Sequence, residues 1–328
     1  MPERVPVIDI APFRNGHSDG KDMVARQFDQ ACTDVGFLVI VGHGIDADLP
    51  EAVFERARRF FDLPFAEKLK VRKEEGASGA GYHPLLTQAN DLSHGPDGPE
   101  DIRESFGLGR PDRRAGSFNR WPIDPPELKE VCLRYYGEME QLGARITRIF
   151  ACALDLPEDY FADKIDRHDS TMLLHHYPQQ KTPPLPNQLR SGAHTDLGLF
   201  TMLRTERQHR PGGLQVKTRS GDWIDVPPIP DSFIMNIGDT LMRWTNDHWL
   251  SNYHRVVNPP LGAGEESRRI SMPFFFAAND DATIACLPSC CNAANPPRYA
   301  PVNAGDFRRA ALQQGYDFAK RKAEARRA

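Results

Sequence analysis

Between residues 172 and 276 the chain is written in short apolar runs, each closed by a turn signal, and this punctuation constrains the fold more than any other feature. The runs are Leu199-Phe200-Thr201-Met202-Leu203, Leu214-Gln215-Val216, Trp223-Ile224-Asp225-Val226, Phe233-Ile234-Met235-Asn236-Ile237 and the stretch 270–276. Turns are expected at Pro211-Gly212-Gly213, Ser220-Gly221-Asp222, Pro227-Pro228 and Gly238-Asp239. Runs of this length are too short for ordinary helices, and their regular spacing predicts a sandwich or jelly roll. The 28 prolines fit a chain with many turns and strand edges.

Outside that region the period changes. Val24, Phe28, Ala31, Cys32 and Val35 recur at helical spacing, and residues 54–69 and 126–163 do the same, the latter with Leu128, Val131, Tyr135, Met139, Leu142, Ile146 and Ile149 on one face. Val5 to Ile10 and Gly36 to Val41 have strand character. Residues 74–101, rich in Gly, Ser, Pro and Asp, read as a long irregular connection of the kind that carries function. The expected fold is mainly β with flanking helices: a jelly-roll core over 171–280, an α/β region over 1–115 that packs on it, a helical connection over 116–170, and a C-terminal segment and helix over 281–328.

A formal charge of −4 asks for no nucleic-acid or anionic-membrane partner. No apolar stretch is long enough to span a membrane, and the opening Met-Pro-Glu-Arg-Val-Pro carries no apolar leader, so a cytoplasmic protein is expected. The six cysteines are expected to be reduced; Cys286, Cys290 and Cys291 cluster, but without a second pair at finger-like spacing.

Of eleven histidines, most invite no chemistry. His17, His83, His94 and His209 sit in polar contexts, His168 carries no pattern, and His43, between two glycines, suits backbone capping. His194-Thr195-Asp196 differs. On extended backbone its two ligand-type side chains share a face, because side chains alternate. A third ligand must come from another strand, and His254 returns after fifty-seven intervening residues. Two imidazoles and a carboxylate make the facial triad of non-haem Fe(II) oxygenases, leaving three positions open. Arg269 and Ser271 follow on the next apolar strand, again two apart, a pairing suited to a carboxylate.

With these residues in view the chain resembles the isopenicillin N synthase-like group of iron(II)/2-oxoglutarate-dependent dioxygenases, nearly end to end. The likeness is carried by Val5 to Ile10, Gly36 to Gly44, Ala193-His194-Thr195-Asp196 with Gly198, the segment 211–216, Asn236-Ile237-Gly238-Asp239, His254-Arg255-Val256 and Arg269-Ile270-Ser271. The resemblance implies a double-stranded β-helix. His194, Asp196 and His254 would bind Fe(II), and Arg269, Ser271 and Tyr177 would hold the distal carboxylate of 2-oxoglutarate. Phe275 would line the substrate pocket. Many relatives carry Asn where His175 stands, and His248 and Trp249 are expected as substrate-side variation.

The implied reaction couples O2 and decarboxylation of 2-oxoglutarate, to succinate and CO2, with hydroxylation of a C–H bond in a small specialised metabolite. Desaturation, cyclisation and epoxidation stay open. So do an O2-dependent oxidase or cyclase that uses no 2-oxoglutarate, since the Arg-x-Ser pair also suits a substrate carboxylate, and a non-catalytic metal-binding jelly roll. By loop placement Tyr82, Arg103, Phe106 and Trp244 are further candidate substrate contacts. Nothing in the sequence requires an oligomer, and a monomer is compatible with it.

Overall fold

The computed structural model describes residues 4–16, 18–73, 81–91, 98–111, 119–208, 212–227 and 229–313. The chain opens with β1 (Val7–Asp9), α1 (Ala11–Arg14), α2 (Ser18–Asp34), β2 (Phe37–Val41), α3 (Asp48–Phe61), α4 (Phe65–Leu69), β3 (Gly81–His83) and β4 (Glu104–Gly109). Two helices follow, α5 (Leu128–Ala153) and α6 (Ala162–Ile165). Then come β5 (Thr171–Tyr177), β6 (Ser191–His194), β7 (Phe200–Thr205), β8 (Leu214–Lys217), β9 (Trp223–Asp225), β10 (Phe233–Ile237), α7 (Asp239–Trp244), β11 (His254–Val256) and β12 (Arg269–Phe276). A small hairpin-like pair, β13 (Thr283–Ile284) and β14 (Val302–Asn303), precedes helical backbone over 304–313. The rest of the expected C-terminal helix lies outside the described residues, as do His17, His94 and His209.

Two sheets face each other. The larger has the order β1-β2-β10-β7-β12-β5-β4-β3 and the smaller β6-β11-β8-β9. Among the described strands of these sheets β1 and β2 run parallel and the other ladders are antiparallel. The N-terminal region therefore does more than pack on the core: β1–β2 complete one edge of the larger sheet and β3–β4 the other.

Strand β12 shows how the sequence produces this. Ile270, Met272, Phe274 and Phe276 are fully buried toward the helices. Arg269, Ser271, Pro273 and Phe275, the alternate set, line a cavity between the sheets. A strand buried on both faces reads as nearly continuous apolar sequence, with its polar residues confined to one phase. On the helix side α5 runs beneath the sheet and comes close at Gly143, where a Cβ would strike the Phe276 ring. Between the sheets Phe37, Val39 and Ile234 meet Leu214, Val216 and Val256 in a smaller core.

The long helical periods are real but interrupted. Residues 54–69 split into α3 and α4 at Pro64, and 126–163 split after Ala153, where Asp155 takes φ 53° and Pro157 follows. Within the expected irregular connection, β3 forms by pairing with β4.

Candidate metal centre

Strands β6 and β11 are neighbours in the smaller sheet, and His254 pairs directly with His194. Their rings are 4.2 Å apart, centroid to centroid. Asp196 lies two residues beyond His194, and its Oδ1 is 3.8 Å from Nε2 of each histidine. One ligand atom from each of the three residues falls within 4.8 Å of the others.

Neighbouring groups decide which lone pairs are free. His194 Nδ1 is 2.7 Å from the Gly192 carbonyl and His254 Nδ1 is 3.3 Å from that of Asn252, so both rings turn Nε2 inward. Asp196 Oδ2 accepts hydrogen bonds from Thr201 Oγ1 at 2.5 Å and Asn236 Nδ2 at 2.8 Å, which leaves Oδ1 for a ligand. Burial alone would raise the Asp196 pKa, but the two imidazoles and these two hydrogen bonds outweigh it and hold the carboxyl below its ordinary range. Burial, helped by His254, pushes His194 down to about 3, so it stands as a neutral ring. Two inward imidazole nitrogens and one carboxylate oxygen fit an octahedral Fe(II) held on one face.

The larger sheet supplies the opposite wall. Arg269 pairs with Tyr177 and Ser271 with His175 across β12 and β5, so all four share the cavity face. Arg269 is buried, donates to the Gly212 carbonyl at 2.8 Å, and sits 5.2 Å from the Tyr177 ring centroid. His175 contacts Ser105 Oγ at 2.7 Å; burial and nearby cations hold its pKa well below the usual value, so it is neutral.

Among the candidate substrate contacts, Arg103 and Phe275 line this cavity. Tyr82, Phe106 and Trp244 do not. Tyr82 and Phe106 are cross-strand partners, so one orientation fixes both, and both point to the helix-side core against Phe60. Trp244 packs on Phe161 in that same core. His248 and Trp249, expected as substrate-side variation, instead bond Asp29 of α2, with Trp249 fully buried beside Phe150. His43 contacts the Asp231 carbonyl and accepts from the Ile45 amide, a capping role.

Thr201, Asn236, Ser191 and Asn90 were not singled out from sequence. For Thr201 and Asn236 a signal existed: each interrupts a run of apolar residues, and a buried polar group needs a partner. Asn90 lies in the irregular connection and carried no pattern.

The comparisons agree with this geometry. A profile of the non-haem dioxygenase N-terminal region, described from morphine synthesis, matches residues 5–127, and that of the 2OG-Fe(II) oxygenase superfamily matches residues 168–278. A 2-oxoglutarate-Fe(II) type oxidoreductase of Emericella nidulans is 34% identical over 97% of this chain and 92% of its own length. Validamycin A dioxygenase of Streptomyces hygroscopicus subsp. limoneus is 29% identical over 93% of this chain and 82% of its own. Among solved structures, a full-length Neurospora crassa protein in complex with alpha-KG and 5-formyluracil superposes with a TM-score of 0.82 at 30% identity, covering 92% of this chain and 94% of that one. A jelly roll whose inward lone pairs suit iron, matched along nearly its whole length by such relatives, belongs to the 2OG-Fe(II) oxygenase superfamily, and the chain is a 2-oxoglutarate- and Fe(II)-dependent dioxygenase.

Proposed function

We propose that the chain hydroxylates a C–H bond of a small specialised metabolite that rests against Phe275 and Arg103, while Arg269, Ser271 and Tyr177 hold the distal carboxylate of 2-oxoglutarate. His194, Asp196 and His254 are the residues that would hold the iron. Bound Fe(II), with O2, supplies the oxidative decarboxylation of 2-oxoglutarate to succinate and CO2 and the power to break the C–H bond.

The observation that carries the co-substrate assignment is Arg269. It is buried on the cavity wall, and among the described residues no carboxylate lies within ion-pair distance of it. A buried guanidinium without an anion is costly, and a dicarboxylic acid anchored by its far end removes that cost. Ser271 adds a hydroxyl on the same face and Tyr177 an aromatic wall. The chain's remaining work is positional: Thr201 and Asn236 keep Asp196 turned, and the apolar faces of Leu203 and Phe275 limit water around the reacting carbon.

A small substrate is supported by the relatives, whose names and complexes refer to validamycin A and 5-formyluracil. No helix among the described residues is long and apolar enough to cross a membrane, in keeping with a cytoplasmic enzyme of soluble metabolites.

The test is stoichiometry. One succinate per product molecule, with the product heavier by one oxygen, is expected. Product formed without succinate would transfer the chain to the 2-oxoglutarate-independent oxidases. Arg269→Gln should raise the KM for 2-oxoglutarate by about 100-fold, as loss of a bidentate charged contact does.

A further inference from the structure

Arg103 precedes β4 and is only 7% exposed. Its Nη1 donates to Ser191 Oγ at 3.0 Å, its Nη2 donates to Asn90 Oδ1 at 2.9 Å, and Nη2 lies 3.3 Å from Asp101 Oδ2. The third arm, Nε–H, is buried and meets no acceptor among the described residues. Because a guanidinium only donates, its contact with Oδ1 fixes the Asn90 amide. The Asn90 Nδ2 therefore faces Ser191 Oγ at 3.1 Å and His194 Nε2 at 3.2 Å.

His194 carries its ring proton on Nδ1, toward Gly192, so Nε2 meets Asn90 with its lone pair. That is the same lone pair an iron ion takes. Asn90 and the metal compete for one pair of electrons. Loading the metal leaves an Asn90 N–H without an acceptor, beside the metal, on the side chain that Arg103 already grips. Two donors, one on half-buried Asn90 and one on buried Arg103, are then unmatched beside the metal ligands, and such donors call for an acceptor.

We propose that Asn90 and Arg103 form a receptor for an sp2 oxygen of the substrate, a carbonyl or a carboxylate, close to the C–H bond that is oxidised, and that metal binding arms it by freeing Asn90 from His194. The receptor rests on the cavity being the 2-oxoglutarate oxygenase site described above. It is distinct from the Arg269 anchor: Arg103 bonds Ser191 on β6, the strand of His194, and Arg269 stands on the far wall on β12.

The experiment uses Mn(II) in place of iron, with saturating 2-oxoglutarate, and three probes sharing one ring: cyclohexanecarboxylate, cyclohexanecarboxamide and cyclohexylmethylammonium. Enhanced relaxation of the ring protons by Mn(II) reports binding close to the metal. The carboxylate or the amide should bind at least about 10-fold tighter than the ammonium, and the stronger of the two identifies which oxygen the receptor takes. Asn90→Ala and Arg103→Lys should each weaken that probe by about 10-fold and leave the affinity for 2-oxoglutarate within about twofold, which also shows that both variants are folded. Asn90→Ala should in addition bind Mn(II) several-fold tighter, because the competing hydrogen bond is gone; an asparagine with a merely structural role would not tighten the metal. Equal binding of all three probes, no binding of either oxygen probe, or unchanged or weaker Mn(II) binding by Asn90→Ala overturns the proposal. Failure of the oxygenase reading itself is seen separately, as wild-type Mn(II) protein that does not bind 2-oxoglutarate.

Discussion

Strands β4 and β5 carry two buried polar clusters on opposite faces of one sheet. Ser105 and His175 are cross-strand partners on the cavity face, near the His194–Asp196–His254 triad; Glu104 and His176 are partners on the helix face. Both clusters hold carboxylates and imidazoles shielded from water. They differ in saturation. Glu104 Oε2 accepts from Lys68 Nζ at 2.8 Å and from the Tyr82 hydroxyl, and its Oε1 meets His176 Nδ1 at 2.8 Å. His176 Nε2 in turn accepts from Arg268 Nε at 2.9 Å. Burial lowers the His176 pKa, so the ring is neutral with both nitrogens engaged. At the triad the three inward lone pairs meet, among the described residues, a single amide N–H, that of Asn90. Burial and charge are common to both clusters; unfilled valence is what makes one of them a site.

The comparison breaks first at the triad. Asp196→Asn should abolish metal-dependent turnover, with a loss beyond about 10^3-fold, because a neutral amide cannot replace the anionic ligand. The unfolding free energy of the metal-free protein should move by no more than about 1 kcal/mol. Residual turnover above one-hundredth of wild type would mean that the metal sits elsewhere. The opposite pattern is expected from Lys68→Met, which strips Glu104 of its cation while leaving the carboxylate buried. Such a change costs about 3–5 kcal/mol of stability, read by urea unfolding, while kcat per folded molecule stays near wild type. A loss under about 1 kcal/mol would show that Tyr82 and His176 hold Glu104 unaided.

This contrast also explains what was legible in the sequence. His194 and Asp196 are two residues apart, and strand alternation announces a shared face; Arg269 and Ser271 repeat the pattern. The Glu104 cluster has no such local signature. Lys68 comes from α4, Tyr82 from β3, Glu104 from β4 and His176 from β5, and only the folded register joins them. Strand β4 itself, Glu-Ser-Phe-Gly-Leu-Gly, reads as a loop because of its glycines. Yet Gly107 pairs with Leu173 and Gly109 with Thr171 within the ladder, so glycines that suggest a loop sit in a regular strand. The facing of Tyr82 and Phe106 is illegible for the same reason. Without the β3–β4 register, nothing tells which face they take.

A subtler change sharpens the contrast within the triad. Thr201 donates to the Asp196 oxygen that faces away from the histidines. Thr201→Val keeps the shape and removes the donor, letting the carboxylate rotate. Metal affinity should fall by about 10- to 100-fold, the usual effect of losing a hydrogen bond that orients a ligand, measured by competition with a chelator. Unfolding of the metal-free protein should shift far less than in Lys68→Met. Unchanged affinity would assign the orientation to Asn236 alone.

The smallest effect concerns a second ion pair, one that is half exposed. His248 Nε2 and Trp249 Nε1 both meet Asp29 Oδ1 at 2.8 Å, and the side chains of His248 and Asp29 are 43% and 38% exposed. The hydrogen bond to Asp29 raises the His248 pKa above its ordinary 6.5, and the same bond, against a smaller burial penalty, lowers Asp29 below 3.8. The histidine contribution is complete below 6.5 and fades as pH rises through its raised folded value; the aspartate contribution is complete above 3.8 and fades as pH falls through its depressed one. The pair therefore stabilises most between those two ordinary values. Water screens it, so its loss should cost about 0.5 kcal/mol, where stranding buried Glu104 costs several. His248→Gln should lower the thermal midpoint by a degree or two near pH 5.5 and by nothing near pH 9. A deficit that persists at pH 9 would assign the contact to packing rather than charge, and one as large as that of Lys68→Met would remove burial as the cause of the difference between the two pairs.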